Sequence, residues 1–122
     1  MSLALLLDEH LRGPLWTAIQ RHNLSSELLR DVVRVGDRAD LPLEVLDGDL
    51  LLWAERETRL LVTEDKRTMP QHLAEHLAAG HHSPGVFVVR MGFSRTEILE
   101  ALVLVAHAGN PSDDADVVTF LP

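Results

Sequence analysis

The sequence predicts an α/β protein in which a mostly parallel, five-stranded sheet lies between two layers of helices. Two observations favour this fold class. Five short apolar runs alternate with segments of helical period, and the connections are long enough for crossover helices. The chain has 122 residues, of which 46% are hydrophobic, so it can bury a core of its own. We therefore expect residues 1–122 to form a single three-layer domain.

The predicted strands are short and apolar throughout, as is typical of strands that are buried on both faces of a parallel sheet. The second of them is rich in valine and stops at Gly36. The predicted strands are residues 3–7, 31–36, 60–64, 86–89 and 117–120.

The first and the last predicted helices have the clearest signals. Leu11, Leu15, Ala18 and Ile19 recur at helical spacing and predict a helix over 11–22. A capping box of Ser94 and Glu97 begins a helix over 95–108, which Gly109 and Pro111 should end. The acidic residues 112–116 are then expected to form a solvated turn before the last strand.

Two more helices are predicted between these. Asp47 is expected to be the N-cap of one, because Gly48 is a poor residue for a helix interior. Thr68 and Gln71 have the spacing of a capping box, and Gly80 should end the helix that follows them.

Composition excludes several classes of function. The formal net charge of −8 argues against a protein that grips nucleic acid through a broad basic surface. The absence of cysteine excludes disulfides, thiolate catalysis and cysteine-ligated metals. No apolar stretch approaches the ~18 residues of a membrane span, and the N-terminal leucine run lacks the basic region of a signal peptide. We therefore expect a cytoplasmic protein without membrane contact.

Acidic residues follow two of the predicted strands directly. Asp8 closes the first apolar run and Asp65 follows the third. Because parallel strands share one carboxyl edge, where ligands bind, these two acids and the helix-start residue Asp47 are expected to gather there. Paired carboxylates are the ligands of a divalent metal. Basic residues from the same edge, which a phosphodiester would favour, are Lys66, Arg67 and Arg90.

Glu9, Asp37 and Asp49 are expected at the same edge, and structural roles for all of these acids stay open. Asp47 could serve only as an N-cap, and Asp65 could simply end a strand. Glu9, Asp37 and Asp49 could be solvated surface residues. Each acid taken alone favours the structural interpretation, whereas the joint placement of Asp8 and Asp65 brings the two interpretations close to even.

The histidines suggest a different metal site. His72-Leu73-Ala74-Glu75-His76 fits the H-x-x-E-H pattern of a zinc-protease class, and His81 and His82 follow closely. That class needs a distant acidic ligand within a much larger fold. A solvated helix face is therefore the expected role of these histidines, with adventitious or regulatory metal binding as the alternative.

Several segments together resemble the PIN-like proteins, small prokaryotic relatives of the PIN-domain nucleases. Their order and spacing match the family over residues 3–105, although no single segment is specific. The segments are Leu5-Leu6-Leu7-Asp8-Glu9-His10, Asp47-Gly48-Asp49-Leu50-Leu51-Leu52-Trp53-Ala54, Leu61-Val62-Thr63-Glu64-Asp65-Lys66 and Pro84-Gly85-Val86-Phe87-Val88-Val89-Arg90.

The resemblance implies a compact, Rossmann-like α/β fold whose strand-end acids hold Mg²⁺ or Mn²⁺ for RNA cleavage. By position, Asp8, Asp47 and Asp65 match the acidic motif residues, and Glu9 is a weaker match as an outer helper to the metal. Many relatives are the toxins of toxin–antitoxin pairs. The implied partners are an RNA substrate and a small antitoxin protein, with a homodimer as a further alternative.

One departure from the family pattern bears on activity. The third motif of the family usually carries a second acid two residues after the first, and Arg67 stands at that place here. At an effective dielectric constant of ~20, a unit charge ~5 Å from another is worth roughly 3 kcal/mol, so this exchange disfavours a cation. An interaction module with an impaired metal cluster is therefore the alternative function. A response-regulator-like domain is a weaker third, because a lysine after a late strand is missing.

Overall fold

The computed structural model describes residues 4–11, 13–23, 31–90 and 92–121. It confirms the α/β class with a five-stranded, all-parallel sheet. The strands are β1 (Ala4–Leu7), β2 (Asp31–Arg34), β3 (Leu60–Thr63), β4 (Val86–Val89) and β5 (Val118–Leu121). Each lies within about two residues of its prediction, and Leu3 is outside the described residues.

Five α-helices accompany the sheet within the described ranges, namely α1 (Pro14–His22), α2 (Asp47–Glu57), α3 (Met69–Ala78), α4 (Arg95–Ala108) and α5 (Pro111–Asp114). The predicted helix over 11–22 is divided. A 3₁₀ turn over Glu9–Leu11 comes first, and α1 begins only at Pro14, whose fixed φ suits a first helical turn.

Of the three predicted N-cap residues, Thr68 and Ser94 are confirmed and Asp47 is wrong. Leu46 rather than Asp47 is the N-cap residue of α2, and Asp47 is its first helical residue. Thr68 is the N-cap residue of α3, but its side chain caps no backbone group there. The Ser94–Glu97 capping box of α4 forms with both of its hydrogen bonds.

The acidic segment after α4 is partly helical, which the sequence interpretation missed. Pro111 opens the short helix α5 instead of only ending α4, and the Asn110 side chain accepts a hydrogen bond from the Ser112 amide. The physical reason is that proline is tolerated in a first turn, where its missing N–H would be unpaired in any case.

Two apolar layers sandwich the sheet, and alternate residues of each strand point into opposite layers. Leu5 and Leu7 of β1 pack in the layer with α1 and α4, whereas Leu6 packs in the layer with α2. Met69 and Leu73 place α3 in that second layer as well. The continuous apolar runs are thereby explained, since both faces of the sheet are covered.

The strand order is β2-β1-β3-β4-β5, the doubly wound order of flavodoxin-like sheets. The chain moves outward from β1 to β2, then crosses back over β1 to place β3 on its other side. The direction of winding therefore reverses between β1 and β3. Crevices at such reversals are where open α/β sheets bind ligands.

Candidate functional site at the β1–β3 edge

Asp8 and Asp65 come from the two strands that flank the reversal. Leu7 of β1 pairs with Val62 of β3, so Asp8 lies beside the end of β3. The Asp8 amide donates to the Val62 carbonyl over 2.9 Å, which continues the ladder by one bond. The strand order therefore places these two acids on neighbouring strand ends, as the proposed pairing requires.

Thr63 links the two acids and was not singled out from the sequence. Its fully buried hydroxyl donates to Asp8 Oδ2 over 2.7 Å and accepts from the Asp65 amide over 3.1 Å. A buried hydroxyl with both a donor and an acceptor partner fixes the groups around it. The available signal was a polar residue at the end of an otherwise apolar strand.

The Asp65 carboxylate is held within its own turn. Its Oδ1 accepts from the amides of Arg67, over 3.1 Å, and Thr68, over 2.9 Å, and its Oδ2 accepts from the Thr68 hydroxyl. Burial raises the pKa of Asp65, but these hydrogen bonds outweigh that effect and the net pKa lies below the ordinary value. Asp65 is thus ionised and oriented, with part of its lone-pair capacity already used.

Asp47 approaches from the first turn of α2. Its carboxylate lies 3.3 Å from His72 Nε2 on α3. Burial raises the pKa of Asp47; His72 lowers it in part, and the negative charges of Asp8 and Asp65 raise it again. Asp47 is therefore close enough to Asp8 and Asp65 to be repelled by both, and their summed charge is of the kind that a cation would neutralise.

The Asp8 carboxylate accepts only two hydrogen bonds among the described residues, from Thr63 and from the Glu9 amide over 2.7 Å. A carboxylate offers about four lone-pair sites, so Asp8 keeps capacity for a further partner. The Glu9 carboxylate instead accepts from the Glu44 amide, where the backbone has a positive φ of 66°. Glu9 therefore anchors the loop that leads to α2.

Other acids predicted near this edge have structural partners or lie elsewhere. Asp37 forms an ion pair with Arg34 over 2.6 Å. Asp49 is exposed and lines a groove of about 650 Å³ together with Asp40, Trp53 and His81. Neither residue is part of the charge coupling described for Asp47.

Two of the three predicted phosphate-binding residues share a groove. Lys66 and Arg90 line a space of about 360 Å³ together with Val88, Phe93 and Phe120. The Arg90 guanidinium lies 5.4 Å from the centre of the Phe120 ring, within range of a cation–π contact. Arg67 is exposed and does not line this groove.

The donor chemistry of the three acids fits Mg²⁺ or Mn²⁺, which take carboxylate oxygens and keep part of their water shell. Their oxygens are not gathered for direct coordination. Among the residues that the structure describes, the group of three acidic or histidine ligands within 4.8 Å of one another is Glu55, His76 and His81. A cation near Asp8, Asp47 and Asp65 would therefore rely on water for part of its coordination.

The two histidines of the H-x-x-E-H pattern contact different partners and do not form one site. His72 faces Asp47, while His76 is buried and faces Glu55 of α2 over 3.2 Å. The expectation that both lie on a solvated helix face is wrong for His76. The reason is that α3 packs against α2, which covers the last turn of α3 on that side.

Comparisons with protein-family models, with curated proteins and with solved structures find no match to this chain. Within the described ranges, no helix has the length and apolar character that crossing a membrane requires.

Proposed function

We propose that the protein is a Mg²⁺- or Mn²⁺-dependent endoribonuclease of the PIN-like type, with its site at the β1–β3 edge. The observation that carries this proposal is the placement of Asp8 and Asp65 after neighbouring strands at the winding reversal, with Asp47 near enough to be affected by both charges. The resemblance of the sequence segments to PIN-like proteins supports the choice of RNA. A role as the toxin of a cytoplasmic toxin–antitoxin pair, with a small antitoxin as partner, belongs to the same proposal.

The positions of these residues give them different roles in metal and phosphate binding. Asp8 has free lone pairs and is fixed by Thr63, so it is the first ligand in this scheme. Asp47 brings a second carboxylate from α2, and Asp65 contributes the charge of its ordered carboxylate. A divalent ion held there would activate water and offset negative charge on a phosphodiester. Lys66 and Arg90 would hold phosphate in their groove, and Arg67 would reach it from the exposed turn.

The test combines metal binding with cleavage. We expect Mn²⁺ to raise the Tm of the wild type and to support cleavage of a labelled single-stranded RNA. Asp8→Asn should lose both effects while it keeps the far-UV circular dichroism of the wild type. Asp113→Asn is the matched control, because it removes the same charge from the exposed helix α5. Equal Mn²⁺ stabilisation in Asp8→Asn and in the wild type would contradict the proposed site.

The alternative function, an interaction module with an impaired cluster, is favoured by three observations. Three donors of its own turn occupy the Asp65 carboxylate, and Arg67 replaces the expected second acid. The loop before α2 and the helix itself expose apolar side chains that could contact a second copy or a small partner: Leu43 (52% exposed), Leu46 (73%) and Leu52 (42%).

Arg67→Asp separates the two functions. If the wild type is a nuclease, metal-dependent cleavage is already present in it, and this variant weakens that cleavage because it puts a negative charge where Arg67 would reach the phosphate. If the wild type is an interaction module, Arg67→Asp should create cleavage that the wild type lacks, because it restores an acid beside Asp65. The Asp8→Asn, Arg67→Asp double variant is the control for a contaminating nuclease.

A further inference from the structure

We propose that Glu55, His76 and His81 form a second metal site, specific for a transition ion such as Zn²⁺, that joins α2 to α3. The three residues come from the last turn of α2, the last turn of α3 and the segment that follows α3. None of them belongs to the acidic edge at Asp8, so this site is independent of the proposed nuclease function.

The distances between the donor atoms fit a shared ion. Glu55 Oε1 lies 3.2 Å from His76 Nε2 and 3.1 Å from His81 Nδ1. Donors bound to one tetrahedral zinc at ~2.05 Å lie about 3.3 Å apart. The three donor atoms all lie within 4.8 Å of one another. A small rotation of one imidazole ring would therefore bring all three to the separations that ligands of one ion have.

The site is organised by contacts around its ligands. The other oxygen of Glu55 accepts from the His82 amide over 3.0 Å, which fixes the carboxylate. The two imidazole rings are stacked, with centroids 4.8 Å apart and planes inclined by 21°. The His82 carbonyl oxygen lies 2.9 Å from His76 Nε2, close enough to serve as a further oxygen ligand of the same ion. The contact from the His82 amide is of the kind that orients a metal ligand and tunes the affinity of the site.

Burial and access both suit a bound ion. The His76 side chain is only 4% exposed, whereas Glu55 is 30% and His81 is 44% exposed. Glu55 and His81 also line the groove of about 650 Å³ beside Trp53, so an ion has a path from solvent and an open position toward that groove. Imidazole nitrogens with one carboxylate favour zinc, copper or nickel over magnesium.

The same contacts have a metal-free interpretation, in which a ring nitrogen of His76 and one of His81 donate hydrogen bonds to Glu55. Metal binding must displace a proton from His76 Nε2, which otherwise donates to Glu55 or to the His82 carbonyl. The two interpretations differ in what zinc does, so direct binding measurements separate them.

The experiment measures Zn²⁺ affinity by competition with a chromophoric chelator, on tag-free protein that has been stripped with EDTA. We expect one Zn²⁺ per chain and a Tm that rises with Zn²⁺. Glu55→Gln and His81→Ala should each weaken binding at least tenfold, because each removes one donor. His81 is the preferred variant, since it is exposed and its loss leaves the core intact. His107→Ala, an exposed histidine of α4, is the matched control.

Substitution by Co²⁺ gives a second readout that a merely structural histidine pair would not produce. Intense visible d–d absorption is expected in the wild type and in His107→Ala, and it should be lost in His81→Ala. Absence of Zn²⁺ binding by the wild type, or equal affinity in His81→Ala, would overturn the proposal and leave the hydrogen bonds of the two histidines to Glu55 as the explanation.

Discussion

Asp47 and Asp65 have pKa values shifted in opposite directions, although both lie at the carboxyl edge of the sheet. Burial raises the pKa of Asp47, with further contributions from Asp8 and Asp65, whereas hydrogen bonds from the Thr68 turn keep the pKa of Asp65 low despite its burial. Folding therefore favours the neutral form of Asp47 and the ionised form of Asp65. At neutral pH the ionised Asp47 therefore lowers the free energy of unfolding, and the ionised Asp65 raises it.

These shifts predict opposite effects of two substitutions in EDTA at pH 7. Asp47→Asn should raise the Tm, because it removes a charge that folding disfavours. Asp65→Ala should lower the free energy of unfolding by about 1 kcal/mol, the usual loss when a side chain that accepts hydrogen bonds from backbone amides at a helix start is removed. Thermal unfolding measures the first effect and chemical denaturation the second, with Glu64→Ala, an exposed neighbour, as control. A lower Tm in Asp47→Asn would contradict the assignment of its charge as unfavourable.

The pH dependence of the Asp65 effect has a definite sign. Since the folded-state pKa of Asp65 lies below the unfolded value of about 3.8, its contribution is complete above that value and is lost as the pH falls through the folded pKa. The stability difference between the wild type and Asp65→Ala should therefore be constant near neutrality and shrink below pH 3.8. A difference that grows on acidification would contradict this account.

At the scale of the elements, two predicted capping boxes have different outcomes. Ser94 and Glu97 exchange both hydrogen bonds at the start of α4. At α3, the Gln71 side chain donates a hydrogen bond to the Glu75 carboxylate instead. The Asp65 carboxylate accepts hydrogen bonds from both the amide and the hydroxyl of Thr68. A nearby stronger acceptor, the Asp65 carboxylate, thus replaces the local capping pair.

The difference between the two helix starts can be measured by substitution. Ser94→Ala should cost about 1 kcal/mol of unfolding free energy, because α4 loses its cap. Gln71→Ala should be close to neutral, since its side chain satisfies no backbone group at the N-cap. Thr96→Ala, at an exposed position in the first turn of α4, is the control for helix propensity. Equal costs for Ser94→Ala and Gln71→Ala would contradict the contrast.

For the whole molecule, one sheet separates two apolar layers, and each layer has one tryptophan. Trp16 packs beside the layer of α1 and α4, and Trp53 is buried in the layer of α2 and α3. Because the strands of the sheet contribute side chains to both layers, neither layer can lose its packing without exposing the other. We therefore expect the domain to unfold in one cooperative step.

Single-tryptophan variants test this expectation layer by layer. In Trp16→Phe the fluorescence reports on Trp53, and in Trp53→Phe it reports on Trp16. Within each variant, the fluorescence and far-UV circular dichroism transitions in urea should have the same midpoint. Far-UV signal that persists after Trp16 fluorescence has changed would show instead that the layer of α1 and α4 opens by itself. Comparison within one variant removes the effect of the substitution itself, including loss of the Trp53–Asp40 hydrogen bond.

The sequence by itself determined the α/β class, the approximate strands and the capping box of α4. These depend on apolar runs and on bonds between residues three apart, which are local properties of the chain. It also placed Asp8 and Asp65 each near the end of a strand, but it did not determine whether those strands are neighbours.

Only the tertiary structure decided that β3 pairs with β1, and this pairing makes Asp8 and Asp65 neighbours through Thr63. It also decided that His76 turns away from His72 toward Glu55, 21 positions earlier in the chain, where α3 packs on α2. Strand order and helix packing depend on contacts between residues far apart in the chain. A local sequence pattern can identify candidate side chains of a site, but packing between distant parts of the chain determines which of them lie close together.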